Sequence, residues 1–154
     1  MRRIAVAVSF TLLVAMPGCS NSRAIELGVV LAHSNCKNAR EGVSRVTLEE
    51  VAALRGSRLL GAEAAPKVVG ASPPMIAVST GERPSAGYAL ALDGPATLEQ
   101  GVLLVRVAET TPGPDSMQAQ VITHPCLVLE LPETPWTVVR VLDAAGNPLG
   151  EINR

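Results

Sequence analysis

Two short pairings of histidine with cysteine, His33-x-x-Cys36 and His124-x-Cys126, are the residues most able to do chemistry in this sequence. Imidazole and thiolate are ligands that zinc prefers, so the four side chains are a candidate metal site. Cysteines of an exported protein more often pair with each other, because the compartment is oxidising. The two uses of the thiols exclude each other. The sequence favours a Cys36–Cys126 disulfide and no metal site, with zinc as the alternative.

Catalytic arrangements of other kinds are weakly supported. A Cys–His dyad would combine Cys126 with His33, or Cys36 with His124, yet no glycine-rich nucleophile turn precedes either cysteine. Gly-x-Ser-x-Gly, a phosphate-binding loop and His-Glu-x-x-His do not occur in the sequence. The adjacent pair Glu49-Glu50 is explained by helix capping. We therefore predict a protein that is not an enzyme and that uses no cofactor.

The beginning of the chain has the layout of an export signal. Arg2 and Arg3 precede a mostly apolar run over residues 4–16, which Pro17 and Gly18 follow. This run is shorter than the roughly 20 residues that a membrane-spanning helix needs. The pattern predicts a segment that directs export and is then removed.

The last residues of this signal, Met16-Pro17-Gly18-Cys19, resemble a bacterial lipobox. The resemblance implies a signal peptide over residues 1–18 and lipidation of Cys19. We expect a short tether over 19–23 and, from the length of the chain, a single domain over 24–154. Acyl chains on Cys19 would hold the protein on a membrane, and Ser20 in the next position favours the outer membrane. The expected location is the cell envelope, facing the periplasm. The alternative is ordinary cleavage that leaves a soluble periplasmic protein.

Composition limits the class of protein. The chain has 154 residues, of which 47% are hydrophobic, 18% charged and 2% aromatic, with a net charge of -1. This length fits one domain and excludes a large multidomain enzyme. The near-neutral charge argues against nucleic acid as a partner, since phosphate binding needs clustered lysine and arginine. Because aromatic residues are so few, the core must be aliphatic.

The pattern of the chain favours a mostly β fold. Thr47 and Glu50 match a capping box and predict one short helix that stops at Gly56. Short runs rich in valine, leucine and isoleucine follow, separated by glycine and proline. The predicted strands are 75–79, 88–92, 102–108, 118–123, 127–131, 137–142 and 149–152, and residues 24–32 are also compatible with a strand. We expect a compact antiparallel β sandwich or barrel-like domain with one N-terminal helix, and an α+β fold as the alternative.

A loop with two glycines and a proline is the sharpest local motif. Residues 81–88 read GERPSAGY, and Gly87 can adopt a positive φ just before Tyr88 enters the next strand. This loop resembles the Gly-x-x-Pro-Thr-Gly-Gly-Tyr pattern of the PrcB C-terminal domain, with Ser85 and Ala86 in place of Thr and Gly. Residues 105–114, VRVAETTPGP, and 120–126, QVITHPC, are similar to later parts of that family. The resemblance spans about residues 74–141 and implies a mostly β accessory domain associated with a protease complex, without catalysis.

The same loop also resembles one loop of chagasin-type cysteine protease inhibitors, and Pro135-Trp136 resembles another. The predicted partner is another envelope protein, with a protease among the candidates. The residues expected to contact it are Arg83, Pro84, Gly87, Tyr88, Pro135 and Trp136. Three alternatives remain open. Tyr88 and Trp136 could close the ends of the core, the protein could inhibit a protease, or it could be purely structural in the envelope.

Overall fold

The computed structural model describes residues 21–36, 39–55 and 73–154. The predicted signal peptide, Cys19, the helix stop at Gly56 and most of the 61–74 loop lie outside these residues. The described part contains one helix, α1 (Leu48–Leu54), and ten strands. The strands are β1 (Arg23–Ile25), β2 (Gly28–His33), β3 (Gly42–Val46), β4 (Met75–Ser79), β5 (Ala89–Leu92), β6 (Ala96–Glu99), β7 (Val102–Thr110), β8 (Cys126–Glu130), β9 (Val138–Asp143) and β10 (Pro148–Asn153).

The strands form two sheets, which confirms the prediction of a mostly β fold with one short helix. The first sheet has the order β1-β6-β7-β9-β10, and β5 pairs with the same edge of β7 as β6 does. The second has the order β2-β8-β4-β3. All pairs are antiparallel except β7–β9, which is parallel. The parallel pair arises because the chain leaves β7, runs back through β8 in the other sheet, and returns to lie beside β7.

An aliphatic core lies between the two sheets. Ile76 and Val78 of β4 meet Val105 of β7 and Val139 and Val141 of β9, and all five are fully buried. Burial of each such side chain contributes about 1.5–3 kcal/mol. The core therefore forms almost without aromatic residues, as the composition requires.

The outer face of the second sheet is covered by α1. Val51 and Leu54 of the helix pack in one cluster with Met75, Ala77 and Val128. Strands β4 and β8 are thus buried on both faces, which explains their unbroken apolar sequences. In the described part of the chain, no helix has the length and apolar character needed to cross a membrane.

The capping box at the start of α1 is confirmed. The amide of Glu50 donates to the Thr47 hydroxyl at 3.3 Å, and the amide of Thr47 donates to the Glu50 carboxylate at 2.7 Å. The C-cap residue is Arg55.

Most predicted strands are present, and the differences are local. Strand β4 has the predicted bounds, and five further predicted strands shift by one or two residues at their ends. The predicted strand over 118–123 is wrong: only Thr123 makes an isolated bridge, to Arg83. Strands β3 and β6 were not predicted, and the 24–32 run divides into β1 and β2.

Tyr88 and Trp136 lie at opposite ends of the sandwich. Strand β7 starts at Val102, which pairs with Val138 just after Trp136. It ends at Thr110, which pairs with Ala89 just after Tyr88. We call these the Trp136 end, with the 131–137 loop, and the Tyr88 end, with the 80–88, 111–125 and 144–147 loops. At about 3.3 Å per residue, the strand separates them by about 26 Å.

Candidate functional site

The 81–88 loop is shaped by its two glycines. Gly81 and Gly87 have φ of +80° and +94°, a region that residues with a Cβ rarely adopt. A Cβ at Gly87 would also lie 2.9 Å from the side-chain oxygen of Gln118 and 3.2 Å from the ring of Pro112. Glycine is therefore required there both for the backbone angle and for the close approach of the 111–125 loop. The predicted role of Gly87 in shaping the loop is confirmed.

Hydrogen bonds join the 81–88 loop to the 111–125 loop. The amide of Arg83 donates to the carbonyl of Thr123 at 2.8 Å, and the amide of Thr123 donates back at 3.0 Å. The amide of Ala86 donates to the carbonyl of Ala119 at 3.0 Å. The buried Thr123 hydroxyl donates to the carbonyl of Ser85 at 2.9 Å. The two loops therefore form one braced unit.

Ser85 and Ala86, which depart from the PrcB pattern, fit this unit without backbone strain. Among the described residues, Gln100 is the one non-glycine residue with a positive φ, so Ala86 is not in the left-handed region. Ser85 is buried, and its hydroxyl donates to the carbonyl of Ala86 at 3.2 Å.

A charged pair fixes the side chain of Arg83. Its guanidinium makes two bonds to the Glu109 carboxylate, at 2.8 and 2.9 Å, and the Thr80 hydroxyl donates to the same carboxylate at 2.6 Å. Both charged side chains are about one quarter exposed. The guanidinium carbon also lies 5.8 Å from the centre of the half-buried Tyr88 ring. Arg83 and Tyr88 thus share one surface, while Pro84 between them is exposed.

The electrostatics of this pair favour the ionised state of both groups. Burial pushes the pKa of Glu109 upward, but the hydrogen bonds from Arg83 and Thr80 and the charge of Arg83 outweigh it, and the pKa is lowered. The hydrogen bond to Glu109 raises the pKa of Arg83 above its ordinary value despite burial. Glu109 was not predicted as a site residue. The residues around Glu109 in the sequence do not signal its pairing with Arg83, because that pairing depends on how β7 lies beside the 81–88 loop.

An open groove lies next to the pair, between the two sheets. Its volume is about 430 Å³, and its lining includes Glu41, Arg83, Glu109 and Asp143. The pKa of Asp143 is lowered, chiefly by the hydrogen bond from the Asn147 side chain and then by that residue's amide. The groove therefore presents three carboxylates and one guanidinium that is already paired.

Large apolar side chains are exposed in the 111–125 loop. Met117 is fully exposed, and Val121 and Ile122 are 52% and 63% exposed. Together they are three of the five large exposed hydrophobic residues in the described ranges, the others being Val29 and Leu48. We call these three residues the apolar segment. Three exposed apolar side chains on one loop make this loop a candidate interaction surface.

The Cys36–Cys126 disulfide is present and braces the Tyr88 end of the sandwich. The two Cα atoms are 5.9 Å apart, both residues are fully buried, and the amide of Cys36 donates to the carbonyl of His124 at 2.8 Å. The bridge uses both thiols that the alternative zinc site needs. No group of three or more His, Cys, Asp or Glu in residues 21–36, 39–55 and 73–154 is arranged to hold a metal ion.

Trp136 lies in the core at the other end of the molecule. The residue is 2% exposed, and its indole N–H donates to the carbonyl of Pro132 at 3.1 Å. The guanidinium of Arg154 covers the ring at 5.2 Å. Pro135 is exposed, but it stands about 26 Å along β7 from Tyr88. Trp136 therefore closes the core, and the residues predicted to contact a partner lie at opposite ends of β7.

The family comparison covers the Tyr88 end. The family model described as PrcB C-terminal matches residues 75–132. Over these residues the chain is similar to the PrcB C-terminal domain. The matched PrcB segment starts with β4 and ends just after β8, so it contains Arg83, Tyr88, Glu109 and the apolar segment, and Trp136 lies outside it. No curated protein and no solved structure matches the chain.

Proposed function

We propose that this chain is a non-enzymatic, lipid-anchored module of the bacterial envelope, and that its Tyr88 end binds another envelope protein belonging to a protease complex. One observation carries the proposal. The PrcB C-terminal match covers the braced 81–88 and 111–125 loops, and these loops display the apolar segment.

Physical reasoning supports binding through these loops. The Arg83–Thr123 and Ala86–Ala119 hydrogen bonds hold the loops in one shape before a partner arrives. A surface that is ordered in advance loses less conformational entropy on binding. A protein interface usually combines apolar residues with a polar rim. The joined loops supply both kinds of group, because Val121 and Ile122 lie on one loop and Arg83 on the other.

The chemistry of the side chains supports a non-enzymatic role. The Glu109 carboxylate is occupied by Arg83 and Thr80, and the Thr123 hydroxyl by the carbonyl of Ser85. The two cysteines Cys36 and Cys126 are joined to each other, so neither offers a free thiolate as a nucleophile.

The proposed place in the cell rests on the sequence. The signal over residues 1–18 and the lipobox-like Met16-Pro17-Gly18-Cys19 support lipid attachment at Cys19, and Ser20 supports the outer membrane. A disulfide that joins the N-terminal segment to β8 fits an oxidising compartment.

Site-specific photo-crosslinking in native envelope membranes tests the proposal. A photoreactive amino acid replaces Val121 in one variant and Val29, on β2, in the other. The two valines are matched controls, because each is 52% exposed and they lie in different parts of the molecule. We expect one discrete adduct from position 121, which contains a protease or its complex partner and which excess unlabelled protein competes away. Equal labelling at both positions, or none at 121, would contradict the proposed binding surface.

A further inference from the structure

We infer that the anchored protein turns its Trp136 end to the lipid surface and presents the Tyr88 end to the aqueous compartment. The inference rests on the proposed function, because it takes lipidation of Cys19 from it. It assigns a lipid bilayer to one end of the sandwich. It also specifies that the protein partner is met away from the membrane surface.

The register of the sheet fixes the end to which the anchor connects. Arg23 pairs with Leu98 in β6, and Leu98 pairs with Leu103 in β7. Leu103 is the second residue of β7, one step from Val102 and seven from Thr110. The described chain therefore emerges near the Trp136 end, at the opposite end of β7 from Tyr88.

The tether is too short to reach from the Trp136 end to the level of Tyr88. Residues 20–22 separate Cys19 from Arg23, the first residue of β1. At full extension the four steps from Cys19 to Arg23 span about 14 Å. The level of Thr110 lies about 23 Å beyond the level of Leu103. The lipid therefore holds the Trp136 end close to the bilayer, and the Tyr88 end projects from it.

In this orientation the apolar segment contacts a protein and not the bilayer, although its composition alone would suggest insertion into lipid. Exposed Met117, Val121 and Ile122 on a membrane protein would ordinarily be candidates for insertion into lipid. Their loop lies at the end of β7 away from the anchor, so they face water until a protein covers them. The bilayer contacts the Trp136 end, and the Tyr88 end remains accessible to the water-exposed domain of a partner protein.

Depth-dependent fluorescence quenching tests the orientation with the full-length lipidated protein in vesicles of phosphatidylethanolamine and phosphatidylglycerol. A single cysteine is introduced as Met117→Cys or as Glu133→Cys, and each is labelled with an environment-sensitive dye. Both positions are exposed and lie in loops, one at each end of the sandwich. The native Cys36 and Cys126 are bridged, so the new thiol is the one that reacts.

We expect a lipid carrying a quencher at its headgroup to quench the dye at 133 at least threefold more than the dye at 117. Aqueous iodide should reach the dye at 117 at every protein density. Quenching at 117 equal to that at 133 overturns the inference, and so does iodide access at 117 that falls with protein density, which would indicate a second copy on that surface. Failure of the protein to float with the vesicles overturns lipid anchoring itself, and with it the inference, before any quenching is measured. A vesicle-bound protein with strong quenching at 117 overturns only the orientation.

Discussion

Arg83 and Thr123 exchange two backbone hydrogen bonds, of 2.8 and 3.0 Å, although thirty-nine residues of chain lie between them. This pair joins the 81–88 loop to the 111–125 loop at the Tyr88 end. Three strands of the first sheet, β5, β6 and β7, lie in the intervening chain. The shape of the candidate binding surface therefore depends on the position of β7 as well as on the loop's own sequence.

Gly87→Ala should destabilise the protein more than Gly94→Ala. Both glycines have positive φ, of +94° and +80°, so both variants carry a backbone penalty of about 1 kcal/mol. A Cβ at position 87 also collides with Gln118, whereas nothing lies within 4 Å of one at position 94. We expect an additional loss of about 1 kcal/mol in the free energy of unfolding, measured by urea denaturation. Equal losses would show that the contact between the two loops is not tight in solution.

Glu109→Gln should lower stability in a pH-dependent way. The native pKa of Glu109 is lowered, so its ionised form stabilises the fold above the unfolded pKa of about 4.3, and that contribution disappears as the pH falls through the native value. We expect a loss of about 1 kcal/mol at pH 7 that shrinks as the pH falls below about 4.

The matched control is Glu151→Gln. Glu151 pairs with Arg140 at 2.9 Å, but both side chains are nearly half exposed, so the loss should be below about 0.5 kcal/mol. Denaturation of both variants and the parent at pH 3 to 7 makes the comparison. A Glu109→Gln deficit that stays constant over this range would contradict the role of the charged pair.

The sequence predicts those elements whose signals are local. The Thr47–Glu50 capping box fixes the start of α1, and the apolar run of β4 has its observed bounds. The 118–123 run has strand-forming residues, but it lies beyond the end of the sheets, where Thr123 alone of the run makes a β-bridge. Strand β3 has a weak pattern and forms because β4 supplies its hydrogen bonds. Strand formation depends on a neighbour that the local sequence does not specify.

The candidate site, like the fold, was predictable only where its signals are local. Gly87 and the Cys36–Cys126 pair follow from residue type and from the expected oxidising compartment. The salt bridge of Glu109 with Arg83, and the separation of Tyr88 from Trp136, depend on the pairing of β7 with its neighbours. No property of the individual residues reports on that pairing.

The two aromatic residues of the described chain should respond differently to truncation. Trp136 is 2% exposed and hydrogen-bonded, so Trp136→Ala should cost about 3–5 kcal/mol and leave little folded protein. Tyr88 is half-buried at a loop, so Tyr88→Ala should cost about 1 kcal/mol and retain the β fold. Far-ultraviolet circular dichroism and thermal unfolding distinguish the two. Tyr88→Ala that fails to fold would assign Tyr88 to the core and remove it from the binding surface.

Removal of the Cys36–Cys126 disulfide should destabilise the whole domain, because the bridge closes a long loop. The cysteines are 90 residues apart in sequence, and on the chain-entropy estimate a bridge of this kind contributes at most about 4–5 kcal/mol. The paired variant Cys36→Ala with Cys126→Ala should therefore unfold at lower urea concentration, with a steeper slope, because the unfolded chain without the bridge exposes more surface. The parent protein in reducing buffer should move toward the same midpoint, and reductant should leave the paired variant unaffected. If the midpoint of the paired variant equals that of the oxidised parent, the bridge contributes nothing to the stability of the domain, and the packing of α1 and β2 on β8 suffices to hold the N-terminal segment in place.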